Sequence, residues 1–289
     1  MVEHKKIIVY GSEGMLGYDL RKELSSDYDV IGFDLEDGDI TDRENVLKTI
    51  SHIYPDLVIN CAAYTDVDGC ETNVQKAYSV NADGCLFIAQ ACKEYNIKLI
   101  FISTDYIFNG RKKAEYSEED EPDPLNIYGK SKLKGEKFLT RTNPNFICIR
   151  TSGLYGIKGD SFVKAILSKA KTESHLKVVN DQKCCPTYTK DLSNIIKKLF
   201  NTDYSGFINA VNTYGCSWFD FAKDILKLAG LDHVEVDPIS SDELALPAKR
   251  PENSILSTRK LENELGIKAR KRIEALADFL NELKESSGL

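Results

Sequence analysis

Two rhythms of hydrophobic residues run along the first half of the chain. Short apolar, β-branched runs, "KIIVYG", "YDVIGFD", "DLVINCAAY" and "KLIFIST", alternate with "MLGYDLRKELSS", "RENVLKTISHI" and "CLFIAQACKEY", where apolar residues recur at helical spacing. Such alternation predicts an α/β fold, a doubly wound parallel sheet covered on both faces. After "FICIR" the helical period dominates, in "SFVKAILSKAK", "KDLSNIIKKLF", "WFDFAKDILKLAG" and "RIEALADFLNELK", with strand-like "LKVVND" and "GFINAV" and a long loop from Asp237 to Ser257. The expected organisation is a sheet domain over residues 1–150 and a smaller C-terminal cap over residues 151–289, some of whose segments return to the sheet.

Composition narrows the function classes. The chain has 289 residues and a formal net charge of −7, which argues against a nucleic-acid partner because phosphate contacts need clustered Lys and Arg. No stretch approaches the roughly 18 to 20 apolar residues that span a bilayer, and "MVEHKK" leads straight into a strand. The expectation is a cytoplasmic enzyme without a membrane partner. The eight cysteines show no C-x-x-C pair, so no metal site is expected. Cys85, Cys92 and Cys148 sit in apolar stripes as core thiols, whereas Cys184 and Cys185 stand before Pro186 in an expected loop.

Chemistry enters with "VYGSEGMLG". Gly11, Gly14 and Gly17 follow the first strand and open a helix, with Ser12, Glu13, Met15 and Leu16 between them. Glycines there let a pyrophosphate reach amide N–H groups at the positive helix end. The spacing is G-x-x-G-x-x-G, so the strict dinucleotide fingerprint is not met and a plain strand-to-helix turn competes with nucleotide binding. Asp34, about twenty residues beyond the loop at the end of the second strand, suits an adenosine ribose; its bland alternative is a turn cap. Asp39 and Ile40 suit the adenine edge. The third strand ends in "NCAAYT", where Cys61, Ala62, Ala63 and Thr65 would let a flat ligand lie against the backbone. The acid at position 34 favours NADH slightly over NADPH, subject to Arg43. The first domain is thus read as a Rossmann-like dinucleotide-binding domain.

The fourth strand delivers Ser103, Thr104 and Asp105 at its carboxyl end, where open α/β sheets bind ligands. Tyr128 and Lys132, in "NIYGKSKLKGE", lie at i and i+4 and share one helix face. An ammonium beside a phenol is expected to lower its pKa from about 10 towards neutrality, making Tyr128 a general acid. Gly129 is expected to clear space for the cofactor. Alone, such a Tyr/Lys pair is a weak signal, more often a surface-helix coincidence; with the glycine loop and Thr104 it forms a set.

Together these residues resemble the extended short-chain dehydrogenase/reductases, and within them the dTDP-4-dehydrorhamnose reductases. The resemblance rests on "GSEGMLG", "NCAAYTDVDGCE", "STDYIFNG", "PLNIYGKSKLKGE", "RTSGLYG", "VVNDQKCCPT" and "RPENSIL" and covers nearly the whole chain. It implies NAD(P)H-dependent reduction of the 4-keto group of dTDP-4-dehydro-L-rhamnose. Tyr128 would supply the proton, Lys132 would hold the cofactor ribose and tune Tyr128, Thr104 would hydrogen-bond the substrate oxygen, and Asp105 would contact the sugar or order the loop. Related dehydratases carry Asp-Glu after the threonine; here Tyr106 follows Asp105, which argues against dehydration. Gly153 in "RTSGLYG" stands where the family commonly has a tryptophan against the substrate, and Gly69 and Cys70 replace its more usual residues.

Other candidates have bland readings beside the functional ones. Asn180, Asp181 and Gln182 form either a closing loop over the nucleotide sugar or a polar turn. Arg250 suits a diphosphate through its forked donors or is a surface arginine. Trp218 opens an apolar helical stripe and is expected in the core, and the four histidines lie in no motif. The alternative functions are a non-catalytic, cofactor-binding regulatory subunit similar to the methionine adenosyltransferase β subunit, and a reductase or epimerase of another nucleotide sugar. A homodimer is compatible with the sequence.

Overall fold

The computed structural model describes residues 4–287 apart from residue 144; the first three residues of the expected "MVEHKK" lead-in lie outside it. In chain order the first half forms β1 (Lys6–Tyr10), α1 (Met15–Leu24), β2 (Asp29–Phe33), α2 (Arg43–Ile53), β3 (Leu57–Asn60), α3 (Val67–Thr72), α4 (Val74–Tyr78), a π-helical turn (Ser79–Asp83), α5 (Gly84–Glu94), β4 (Lys98–Thr104), α6 (Ile127–Thr142) and β5 (Phe146–Thr151). The second half adds β6 (Leu154–Tyr155), α7 (Phe162–Lys169), β7 (His175–Val179), β8 (Lys183–Cys184), β9 (Thr187–Tyr188), α8 (Thr189–Phe200), β10 (Gly206–Asn209), β11 (Cys216–Ser217), α9 (Trp218–Leu228), β12 (Glu235–Ile239), α10 (Ser241–Leu244), α11 (Arg259–Asn263) and α12 (Arg272–Ser287).

Six strands make one parallel sheet in the order β10-β5-β4-β3-β1-β2. β3, β4 and β5 read as nearly unbroken apolar runs because both sheet faces are covered. On one face Leu16, Leu20 and Leu24 of α1 pack with Leu192, Ile196 and Leu199 of α8; on the other, Val46, Ile50, Ile88 and Leu139 of α2, α5 and α6 close the layer. Each fully buried leucine or isoleucine contributes about 1.5–3 kcal/mol. The doubly wound class is as expected; from the second half of the chain, β10 pairs with β5 at the sheet edge and α8 covers one sheet face.

A third apolar cluster joins α7, α9 and α12 through Val163, Phe221, Ile225, Leu276 and Phe279, beside the two-stranded β7–β12 pair. Part of the expected loop from Asp237 to Ser257 is ordered: its start completes β12, and α10 follows with a capping box between Ser240 and Glu243. Cys184 lies in β8 rather than in a loop, and both Cys184 and Cys185 are buried.

The chain turns opposite ways from β1, towards β2 on one side and β3 on the other. Loops leaving their carboxyl ends therefore diverge and open a crevice. That crevice, extended across β4 and β5, is the candidate site.

Candidate active site

A cleft of about 840 Å³ runs along the carboxyl ends of the strands, from Asp34 after β2, past Gly11 after β1 and Ala62 after β3, to Thr104 at β4 and Gly153 after β5. At its first end Gly11 has φ +75°, and a Cβ there would lie 2.6 Å from the Ala62 nitrogen, so only glycine lets the two strand ends meet. Helix α1 starts at Gly14 with no side-chain cap and no acidic residue in its first turn. Its first N–H groups therefore face the cleft as unmatched donors. Met15, Leu16 and Gly17 line the cleft there with Glu13.

Asp34 also lines the cleft and acts as a turn cap: its carboxylate accepts the Glu13 N–H at 2.9 Å and the Leu35 N–H at 2.8 Å. The turn-cap reading of Asp34 is thus seen directly, in a residue that also faces the cleft. Asp39 accepts the Thr41 N–H and hydroxyl at 2.8 and 2.7 Å beside buried Ile40. Ala63, Thr65 and Cys61 line the middle of the cleft, and burial pushes the Cys61 thiol up to about 12. Ser12 is buried and lies outside the cleft lining. Arg43 turns away from Asp34 to donate to Gln90 at 3.3 Å.

At the chemical end Asn126 caps α6 by accepting the Gly129 N–H at 2.8 Å, which sets Tyr128 in the first turn. The Tyr128 phenol and the Thr104 hydroxyl both line the cleft, close enough for Thr104 to favour the phenolate slightly, and the Tyr106 ring meets the Tyr128 ring edge to face at 5.9 Å. Thr104 donates to Asp105 at 3.1 Å and accepts the Tyr106 N–H at 3.2 Å. Lys132 is buried; its ammonium donates to the Ile102 carbonyl at 2.6 Å and sits 4.2 Å over the Phe101 ring. Burial pulls its pKa down to about 8.

Two expectations need correction here. Tyr128 is not made acidic by Lys132: withdrawal from bulk water within the cleft disfavours phenolate and raises its pKa above 10, the Thr104 hydroxyl opposing only in part. The phenol therefore keeps its proton through neutral pH. Gly129 does not clear space for a cofactor, because a Cβ there would lie 2.1 Å from the Tyr106 carbonyl oxygen; it lets α6 press onto that backbone.

Asp105 is fully enclosed. Its carboxyl accepts hydroxyl protons from Ser152 at 2.7 Å, from Thr104 and from Ser254, while burial raises its pKa to about 6. Sequence reading missed Ser152 and Ser254, although both stand inside quoted motifs, "RTSG" and "RPENS". The expected cofactor contact Ser103 lines the cleft but donates its hydroxyl at 2.6 Å to Glu136, which is also bonded to Arg150 in a buried ion pair at 2.9 Å. Arg250 forks onto Asp68 at 2.8 and 2.6 Å, so in this structure a carboxylate occupies the donors expected to meet a diphosphate. Gln182 donates to Ser241 at 2.7 Å and lines the cleft, and Asp181 accepts the Ser241 N–H at 2.8 Å. Trp218, expected in the core, is half-buried and forms cleft wall. Among the described residues, no group of three or more His, Cys, Asp or Glu could hold a metal, and no helix is long and apolar enough to cross a membrane.

A family model for the RmlD substrate binding domain matches residues 5–285. The chain belongs to the RmlD substrate binding domain family. It is 39% identical to the spore coat polysaccharide biosynthesis protein SpsK of Bacillus subtilis (strain 168), over 96% of this chain and 97% of that protein. It is 36% identical to a dTDP-4-dehydrorhamnose reductase of Aggregatibacter actinomycetemcomitans, over 94% and 99% of the two chains. Among solved structures it is similar to the dTDP-4-dehydrorhamnose reductase from Bacillus anthracis str. Ames in complex with NADP, with TM-score 0.94, 38% identity, and 96% and 99% of the chains covered. In this RmlD-family chain the cleft holds Thr104, Tyr128 and Lys132 together at one end and the glycine turn at the other.

Proposed function

We propose that the protein reduces the 4-keto group of dTDP-4-dehydro-L-rhamnose to give dTDP-L-rhamnose, using NADPH or NADH. The observation that carries this reading is the continuity of one cleft from the uncapped start of α1 to the side chains of Thr104, Tyr128 and Lys132. The residues fit a dinucleotide. The free N–H groups of the first turn of α1 would hold the pyrophosphate, Asp34 the adenosine ribose, and the small Ala62 and Ala63 would admit a flat ring. Bound there, the reduced nicotinamide supplies the hydride.

The protein's own groups do the remaining work. Tyr128, protonated at neutral pH because burial disfavours its anion, donates its proton to the oxygen that gains charge at C4. Thr104, held by the Tyr106 N–H and resting on Asp105, would turn its hydroxyl from Asp105 to the same oxygen when the substrate binds. Lys132, held by Ile102 one helical turn from Tyr128, would supply a positive charge that favours the phenolate once the proton has left. Asp105, bridging β4, Ser152 and Ser254, ties the catalytic strand to the segments that close the sugar end. The first half of the chain thus carries the cofactor and the second half encloses the sugar nucleotide.

Incubation with dTDP-4-dehydro-L-rhamnose and NADPH, followed by NMR of the product, tests this reading. dTDP-L-rhamnose with stoichiometric cofactor oxidation supports it. An epimerised 4-keto sugar with cofactor unconsumed overturns it.

A further inference from the structure

Gly153 and Trp218, 65 positions apart, meet at the β5 end of the cleft. Gly153 holds φ +55°, and an ideal Cβ there would lie 3.1 Å from the Pro186 Cα and 3.3 Å from the Trp218 Cη2. Position 153 therefore brings no side chain of its own, and the rim of the Trp218 indole stands beside it. Both residues line the cleft, and Gly153 lies two residues beyond Thr151, which pairs in register with Thr104. Counted along the sheet, this is the end farthest from Asp34, beyond the chemical centre on the side away from the glycine turn.

The ring is rigidly mounted. Trp218 is the first residue of α9, whose N-cap Ser217 accepts the Asp220 N–H at 3.0 Å. Its own N–H donates to the Gln182 carbonyl at 3.3 Å, and Phe162 braces the indole at 4.6 Å between centroids. A half-buried tryptophan fixed on a helix start and facing the cleft offers a flat apolar wall. The groups opposite, Thr104 and Tyr128, require a sugar carbonyl beside them.

We infer that Trp218 is a specificity-determining residue, an aromatic platform for the apolar face of the substrate's deoxysugar ring, admitted to that position by the missing side chain at Gly153. The inference rests on the reductase reading above. A hexose lacking its 6-hydroxyl carries a methyl group and a row of C–H bonds, which pack on indole with little desolvation cost, whereas a fully hydroxylated sugar strands a hydroxyl there.

Trp218 is the chain's single tryptophan, so its fluorescence reports this contact directly. The full-length protein is titrated with dTDP-L-rhamnose and separately with dTDP, following fluorescence and binding heat. dTDP-L-rhamnose should change the emission more than dTDP does. Trp218→Ala should weaken dTDP-L-rhamnose about tenfold and leave dTDP within about twofold, the size of a lost aromatic contact. Trp218→Phe should keep most of the affinity. Gly153→Ala, which forces a Cβ towards the ring, should weaken the sugar nucleotide and shift the wild-type emission.

Equal affinity of wild type and Trp218→Ala for dTDP-L-rhamnose would overturn the inference, as would an equal loss for dTDP, which would make the ring a base-stacking wall. If Trp218→Ala fails to fold, Trp218→Phe and the wild-type emission decide. Failure of the reductase reading looks different: the wild type then binds neither thymidine nucleotide and oxidises no cofactor.

Discussion

Lys132 and Ile102 are joined by a 2.6 Å hydrogen bond from the buried ammonium to a β4 carbonyl, two residues before Thr104. That bond ties α6 to β4 at the chemical end of the cleft.

Burial lowers the Lys132 pKa from 10.5 to about 8, so below that pH the folded protein carries a disfavoured buried cation. Between about 8 and 10.5 the unfolded chain binds more protons at this group than the native one, and its contribution to stability rises with pH. On the proposed mechanism activity should move the other way, because deprotonation removes the positive charge one helical turn from Tyr128. The expected result is a kcat/KM that falls as pH rises through about 8, while the melting temperature of wild type gains on that of Lys132→Met over the same range. A flat pH profile up to 10 would contradict the assigned role.

Asp105 gives the opposite sign. Its folded pKa is raised from 3.8 to about 6 by burial, so from about pH 4 to 6 the native state holds a proton that the unfolded chain releases. Stability contributed by this group falls over that window, by roughly 3 kcal/mol at most. Denaturant melts of wild type and Asp105→Asn should therefore draw apart as pH rises from 4 to 6, with wild type losing ground. Parallel curves would mean that the carboxyl is already ionised in the native protein at pH 4.

The Glu136–Arg150 pair is buried on both sides, and Glu136 also accepts the Ser103 hydroxyl. Glu136→Ala leaves an unpaired guanidinium in the core and should cost about 3–5 kcal/mol of stability. Chemical denaturation measures this. A loss below about 1 kcal/mol would show that water reaches Arg150.

Arg250 separates two readings by a double-mutant cycle. If its task is to clamp the 248–254 segment to α3 through Asp68, Arg250→Ala and Asp68→Ala should raise KM by similar factors, and the double variant should be little worse than either. If it instead meets the substrate diphosphate, Asp68→Ala should leave KM near wild type while Arg250→Ala raises it alone.

Local periodicity made the sheet legible. Apolar runs and helical stripes foretold β1 to β5 and the main helices, because each buries a face whose spacing is written in consecutive residues. The two-residue strands β6, β8, β9 and β11 carry no period and were invisible. Tyr128 and Lys132 were legible from their i, i+4 spacing, but the direction of the Tyr128 pKa was not: spacing places the charge near the phenol, while burial, set by distant elements, decides its sign. Ser152 and Ser254 reach Asp105 across 47 and 149 positions, and Trp218 reaches Gly153 across the cap. No local pattern encodes such meetings. Trp218 illustrates the ambiguity, since an apolar helical stripe reads the same whether its first ring faces a core or a cleft.

The central claim is that Tyr128, protonated beside Thr104 and Lys132, completes a ketone reduction. Its most direct test is the initial rate of NADPH oxidation with dTDP-4-dehydro-L-rhamnose, wild type against Tyr128→Phe, with cofactor and substrate affinities measured on both. The account predicts a kcat lower by about 10²–10⁴-fold with both affinities within about threefold of wild type. A Tyr128→Phe enzyme that oxidises NADPH at the wild-type rate would contradict it.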